Sequence, residues 1–230
     1  MNCFARPLHL ARKNNVNRMK NLITIAEQIH QGFETRTQAR DQALVQARQL
    51  TRHAAHAIRA IHRDERDLAA EHLQSAQELV NALKTGLAAF PDLYYAGYTQ
   101  DAIKEYAEAS ITVALITGQT LPSPADLAVE DFTYLNGLAE ATGELRRRCL
   151  DILRKGYSDE AERLMRCMDD IYAELVTMDY PDAITNGLRR QTDIVRGIVE
   201  RTRGELTISL REQQLQHALE DLRARLPDGG

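Results

Sequence analysis

The sequence has few of the residues that interrupt helices. Its 230 residues include only 12 glycines and 6 prolines, and no stretch of any length alternates apolar and polar residues as a half-buried strand does. Tryptophan is absent, and aromatic residues make up 5% of the chain. Because 43% of the residues are hydrophobic, the chain can still bury one sizeable core. The composition therefore predicts long helices in a single domain rather than many short strands.

Charge, cysteine content and hydropathy exclude further classes of protein. The net charge is -4, so no global cationic field attracts nucleic acid, although local patches are not excluded. The three cysteines include no C-x-x-C pair, which favours a reduced, cytoplasmic chain. No apolar run is long enough to span a bilayer, and the N-terminus lacks the apolar segment of a signal peptide. We therefore expect a cytoplasmic protein that makes no membrane contact.

Apolar residues recur at helical spacing along most of the chain. This periodicity predicts helices over residues 21–63, 67–89, 100–117, 129–155, from 158 onward, and 182–226. Thr99 and Ser158 are predicted N-caps and Gly118 a C-cap. Residues 1–20 are predicted to be a loosely ordered N-terminal extension, and residues 21–230 one domain. The predicted fold class is all-α, a bundle of about seven helices packed side by side.

The helix predicted over residues 100–117 carries two carboxylates on one side. Glu105 and Glu108 lie opposite an apolar side that includes Ile103, and their i, i+3 spacing lets both reach one ion. Towards the other end, the acidic side continues with Thr112 and Ile116. A side that is acidic at one end and apolar at the other is expected at a subunit contact or a closed cavity.

Two further predicted helices carry acids away from their apolar sides. The helix over 129–155 has a polar stripe made of Thr133, Glu140, Glu144, Arg147 and Asp151. Gly137 and Gly143 also lie mid-helix, where each costs about 1 kcal/mol against alanine, which indicates close approach of another backbone. On the following helix Asp170 lies opposite the apolar seam and Asp169 near its edge. The pattern leaves two readings open: solvated faces, or acids that converge on a divalent cation.

Other polar residues have simpler interpretations. His53, His56 and His62 fall on one predicted helix, but no carboxylate or cysteine spacing supports a metal site, so solvated or capping roles are expected. The three arginines at 146–148 would face three directions on a helix. At most Arg147 joins the acidic stripe.

Several segments resemble the translin and Trax (translin-associated factor X) family. They are "KEYAEAS", "VEDFTYLNGLAEATGELRRRC" and "GLRRQTDIVRGIVERTRGEL", together with "FPDLYYAGY" ahead of the glutamate pair. The resemblance runs from about Glu34 to Leu210. It implies an all-α fold of about seven helices, with residues 21–230 as a translin-like helical domain, and assembly into octameric shells that enclose nucleic acid. Translin-like members bind single-stranded RNA and DNA, whereas Trax-like members hold Mg²⁺ and cut RNA.

The Trax pattern also implies a site. It places Glu105, Glu108 and Asp170 as catalytic and metal-binding residues, with Asp169 as the neighbouring alternative to Asp170. With less weight, it places Glu144 as a further metal ligand and Arg147 as a nucleic-acid contact.

The resemblance implies a Mg²⁺-dependent endoribonuclease that acts inside a homo-octamer. Its substrate would be single-stranded RNA, with DNA as a second substrate, and Mn²⁺ would substitute for Mg²⁺. The basic stretches credited with nucleic-acid binding in translin have no clear counterpart here. A non-catalytic translin-like binder of single-stranded RNA or DNA is the main alternative, and a purely structural helical oligomer is a third.

Overall fold

The computed structural model describes the backbone of residues 8–225 and the side chains of residues 19–225. Within this range every regular element is a helix, which confirms the predicted all-α class. Six helices are long and three have a single turn. In chain order they are α1 (Leu8–His62), α2 (Arg66–Gly86), α3 (Pro91–Tyr94), α4 (Gly97–Thr117), α5 (Pro124–Leu127), α6 (Asp131–Leu153), α7 (Asp159–Thr177), α8 (Asp182–Thr185) and α9 (Leu188–Arg225).

Two of the three predicted helix caps are confirmed. Gly118 ends α4 in the left-handed region at φ 71°, which a residue without Cβ adopts at little cost, and the Ser158 side chain accepts a hydrogen bond from the Glu160 N–H. The prediction for Thr99 is wrong, because α4 already begins at Gly97 and the Thr99 hydroxyl donates to the Leu93 carbonyl at 2.8 Å.

The ends of the chain differ in detail from the predicted helices. The backbone of α1 begins at Leu8, inside the segment predicted to be an extension, while residues 1–7 lie outside the described range. The division into an extension and a domain therefore stays a prediction. Near the other end, Asn186 and Gly187 both have positive φ, so the helix predicted over 182–226 is divided into α8 and α9.

Helix α4 lies at the centre of the bundle. It packs against α1, α2, α6 and α7, and α6 packs in turn against α7 and α9. As a result, Thr112 and Ile116 on its second face are already buried within one chain. Of the two expectations for this end of α4, a subunit contact or a closed cavity, the first is not needed to bury it, because the neighbouring helices of the same chain cover it.

The outer ends of the two longest helices carry exposed apolar side chains, which we call the apolar end segments. They are Met19, Leu22, Ile23, Ile25, Ile29 and Phe33 on α1, and Ile208, Leu215, Leu219 and Leu222 on α9. Each of these side chains is at least 43% exposed in the single chain. Among the helices of residues 8–225, none is both long and apolar enough to cross a membrane.

Candidate metal centre

Three carboxylates meet where α4 crosses α6. One oxygen from each of Glu105, Glu108 and Glu140 lies within 4.8 Å of the other two, and all three residues are half-buried. The two glutamates of α4 are one turn apart on the same face, as their spacing predicts. Helix α6 supplies the third carboxylate. We call these three residues the acidic cluster.

A glycine brings the two helices close enough to form the acidic cluster. A Cβ on Gly137 would lie 2.9 Å from the Ala107 Cβ, 3.0 Å from the Glu108 backbone N and 3.1 Å from the Lys104 carbonyl O. The predicted close approach of another backbone is thus confirmed at Gly137. It is wrong at Gly143 within the chain, where such a Cβ would meet nothing within 4 Å. Because Gly137 precedes Glu140 by one turn, the contact that it permits sets Glu140 opposite Glu108.

Two donors from different helices hold Glu140. Its Oε1 accepts hydrogen bonds from Lys104 Nζ of α4 at 2.7 Å and from Gln191 Nε2 of α9 at 3.1 Å. The ammonium group also forms a salt bridge with this carboxylate at a half-buried position. Glu140 is therefore oriented from two sides and belongs to a network that joins α4, α6 and α9.

Glu144 lies one turn beyond Glu140 on α6 and is held separately. Its Oε2 is 2.6 Å from Nε2 of His62, the last residue of α1, and 3.5 Å from Nη1 of Arg147. The hydrogen bond with His62 outweighs burial and, with Arg147, lowers the pKa of Glu144 below its ordinary value. Glu144 is thus an ionised carboxylate beside the acidic cluster, although it is not one of the three residues in it.

The acidic cluster carries more negative charge than its neighbours balance. Burial, together with the charges of Glu105, Glu140 and Glu144, raises the pKa of Glu108 to about 8 against the opposing effect of Lys104. Burial also raises the pKa of Glu105. Such a group of close carboxylate oxygens is a donor set suited to hard cations such as Mg²⁺ and Mn²⁺, since a bound cation would remove the repulsion.

The predicted ligand Asp170 is not part of the acidic cluster. Asp170 is exposed on α7, and the structure does not bring it together with Glu105 and Glu108. The reason is that α7 packs mainly against α6 and α9. The adjacent Asp169 pairs with Arg203 of α9. A ligand role for Asp170 or Glu144 stays a prediction that a metal-bound structure would test.

The three consecutive arginines of α6 point to three different partners, as the helical spacing predicts. Arg146 forms a two-pronged ion pair with Glu205, and Arg148 pairs with Asp64. Arg147 alone lies beside Glu144, and its side chain is 54% exposed. Of the three, Arg147 is thus the one whose charge lies next to Glu144.

Sequence reasoning missed four residues of this site, among them Lys104, which donates to Glu140. Glu140 was placed in the polar stripe but not chosen as a ligand, although it shares a helix face with Glu144 four residues later. The solvated or capping role expected for His62 is wrong, since its side chain is 4% exposed and contacts Glu144, and Gln191 gave no local signal. They are separated by 82 and 51 residues from the glutamates that they contact, so only the packing of α1 and α9 against α6 reveals them.

The fold and the site define an all-α bundle with a carboxylate cluster of metal-binding type between two central helices. A comparison with family profiles found no match. The uncharacterized protein MJ0175 of Methanocaldococcus jannaschii is 33% identical over 182 residues, which cover 78% of this chain and 80% of that protein.

Three solved structures match this chain over most of its length. The crystal structure of AfC3PO and the structure of the AfC3PO–duplex RNA complex each match with a TM-score of 0.77 and 31% identity, over 82% of this chain and 98% of theirs. The crystal structure of apo-NeC3PO shares the fold, with a TM-score of 0.73 and 18% identity over 80% of this chain and 96% of its own. The chain belongs to the translin and Trax family.

Proposed function

We propose that this protein is a Mg²⁺-dependent endoribonuclease of the Trax-like branch that cuts single-stranded RNA, with single-stranded DNA as a second substrate. The observation that carries the proposal is the acidic cluster, in which Glu105, Glu108 and Glu140 bring carboxylate oxygens within 4.8 Å of one another. Structural proteins rarely concentrate half-buried acids in this way, because each ionised carboxylate raises the cost of ionising the next. Perturbed carboxylates of this kind are typical of functional sites.

The residues present fit a hard divalent cation. Glu105, Glu108 and Glu140 would hold it through carboxylate oxygens. When bound, the ion supplies Lewis-acid polarisation of the phosphodiester and lowers the pKa of water. Mn²⁺ accepts the same oxygen donors and would substitute.

The other residues of the site have supporting tasks. Lys104 and Gln191 hold Glu140 in one orientation through its Oε1. His62 holds Glu144, so this carboxylate keeps its negative charge beside Glu108. The exposed guanidinium of Arg147 would pair with a phosphate of the substrate, since arginine binds phosphate in a two-pronged geometry.

The assembly that we propose is a closed homo-oligomer, an octamer by family resemblance, with the acidic cluster facing inward. The apolar end segments of α1 and α9 support an assembly, because contiguous exposed apolar side chains commonly mark contacts between proteins. The AfC3PO structure that contains duplex RNA supports a nucleic-acid partner for this chain. An enclosed site would favour short or unpaired strands.

A non-catalytic binder of single-stranded RNA or DNA is the second candidate. The salt bridge between Lys104 and Glu140 favours it, because an internal ammonium group partly neutralises the acidic cluster without a metal ion. In that case the cluster would stabilise the α4–α6 contact and leave nucleic acid intact.

A cleavage assay separates the two candidates. Untagged protein is incubated with end-labelled single-stranded RNA, single-stranded DNA or duplex RNA, in Mg²⁺, Mn²⁺ or a chelator. We expect cleavage of the single-stranded RNA only with metal, and a loss of at least about 100-fold in Glu108→Gln at unchanged oligomeric mass. Retention of the RNA without any metal-dependent cleavage would establish the binder instead. Unchanged cleavage by Glu108→Gln would show that this carboxylate is not a required ligand.

A further inference from the structure

Three histidines lie together between α1 and α2, at a position separate from the acidic cluster. His53 and His56 are one turn apart on α1, and His72 faces them from α2. The ring centroids of His53 and His72 are 5.4 Å apart, and those of His56 and His72 are 5.0 Å apart. All three residues are half-buried. We call them the histidine cluster.

The closest contact within the histidine cluster has the spacing of two ligands on one metal ion. His53 Nδ1 and His72 Nδ1 are 3.2 Å apart. Two nitrogens that each lie about 2.0–2.1 Å from a tetrahedral zinc ion are separated by roughly 3.3–3.4 Å. A hydrogen bond between two neutral imidazoles gives a similar distance. The 3.2 Å distance is thus compatible with a shared metal ion and with a hydrogen bond, and the residues around the pair decide between the two.

The third imidazole is what distinguishes a metal site from a simple pair. A hydrogen bond between His53 and His72 does not involve His56, yet the centroid of the His56 ring lies 5.0 Å from that of His72, with the rings tilted by 35°. Three imidazoles plus one water form a common four-coordinate arrangement for zinc. To complete this arrangement, the His56 ring would have to turn a nitrogen towards the His53–His72 pair.

The charges around the histidine cluster select the kind of ion. Burial, with His72 and Arg52, lowers the pKa of His53, and burial, with Arg59, His72 and Arg52, lowers the pKa of His56, which favours the neutral imidazoles. Neutral imidazole is the form that binds metals. The same arginines disfavour a hard cation held by charge alone, such as Mg²⁺, which also prefers oxygen donors.

We propose that His53, His56 and His72 form a second metal site, which binds a transition-metal ion of the Zn²⁺ or Ni²⁺ class rather than Mg²⁺. The site would join α1 to α2 just beyond the loop that connects them. Its role would be to fix this pair of helices, since a metal ion that binds only the folded chain stabilises it by mass action. The proposal does not depend on the function of the acidic cluster.

Zinc uptake by the full-length, untagged protein tests the proposal, because an affinity tag rich in histidine would bind the same ions. Equilibrium dialysis with Zn²⁺ at neutral pH, in excess Mg²⁺ to occupy carboxylate sites, measures affinity for wild type, His53→Gln and His72→Gln. His217→Gln, which changes an exposed histidine of α9, is the matched control. We expect at least tenfold weaker zinc binding in both cluster variants and wild-type binding in the control.

Crystals of the wild-type protein soaked in Zn²⁺ provide a measurement that does not depend on variant folding. Anomalous scattering at the zinc edge should show a peak between His53 and His72. Equal zinc affinity in His72→Gln and wild type, or an anomalous peak at the acidic cluster with none at the histidines, would overturn the proposal and leave the 3.2 Å contact as a hydrogen bond.

Discussion

The contact at Gly137 offers a sharp test of how the candidate metal centre is built. In Gly137→Ala the new methyl group would lie 2.9 Å from the Ala107 Cβ and about 3 Å from two backbone atoms of α4. Backbone atoms of a central helix cannot rotate away, so α4 and α6 must separate. Gly143→Ala places the same methyl group on the same helix, six residues later, where no described atom beyond the adjoining backbone of α6 lies within 4 Å.

Comparing Gly137→Ala with Gly143→Ala isolates the free-energy cost of a methyl group at the α4–α6 contact. Both substitutions gain about 1 kcal/mol from the higher helix propensity of alanine. Only Gly137→Ala also incurs an overpacking cost of about 1–3 kcal/mol. We therefore expect Gly143→Ala to be more stable than wild type, and the gap between the two variants to equal the overpacking cost.

Chemical denaturation at one fixed protein concentration measures this gap, since the stability of an oligomer depends on concentration. A second readout is Mn²⁺ affinity, which should fall several-fold in Gly137→Ala because Glu140 moves away from Glu108. Equal stability and equal Mn²⁺ affinity in the two variants would refute the idea that this contact assembles the site. A loss of stability in Gly143→Ala would instead reveal a neighbouring subunit packed on that face of α6.

Three further predictions concern charge, ligand identity and assembly. The pKa of Glu108 is raised from 4.5 to about 8, so between these pH values the folded metal-free protein keeps a proton that the unfolded chain loses. The free energy of unfolding should therefore fall by at most about 5 kcal/mol as the pH rises from 4.5 to about 8. Denaturation curves at several pH values should show this decline in wild type and not in Glu108→Gln, and an identical pH profile for both would contradict the assignment. In the cleavage assay, Glu140→Gln should abolish activity, and unchanged cleavage would remove Glu140 from the ligand set. Asp170→Asn in the same assay tests the ligand role that the family resemblance implies for Asp170. Finally, Leu215→Glu combined with Leu219→Glu should lower the mass found by light scattering towards the 26.0 kDa of one chain. An unchanged mass would show that this part of α9 does not contribute to the proposed contact between subunits.

The helices could be predicted from the sequence because their determinants are local. Apolar spacing at 3.6 residues, Gly118 and Ser158 define most boundaries within a few residues. The i, i+3 spacing of Glu105 and Glu108 likewise predicts that they share a face without any knowledge of the fold. The error at Thr99 arose because its hydroxyl bonds the preceding turn rather than capping α4.

The rest of the site depends on how helices cross, which no local pattern reveals. Glu140 and Asp170 both lie off the apolar side of a helix, so periodicity cannot rank them as partners of Glu108. The two residues differ in which helices their own helix packs against. Helix α6, which carries Glu140, crosses α4 at Gly137, whereas α7, which carries Asp170, packs mainly on α6 and α9. A glycine beside a candidate ligand was the one available clue, and the same clue failed at Gly143.

The hydrogen bond from Gln191 to Glu140 has a consequence for the order in which the protein matures. Gln191 lies at the start of α9, 83 residues after Glu108, and synthesis at about 5–20 residues per second separates them by roughly 4–17 seconds. A nascent chain that ends before α9 already contains all four carboxylates of the site. It still lacks the Gln191 amide, the second donor to Glu140 Oε1. Full orientation of the site therefore waits until the start of α9 has left the ribosome and docked. A fragment released earlier would leave Glu140 held by Lys104 alone.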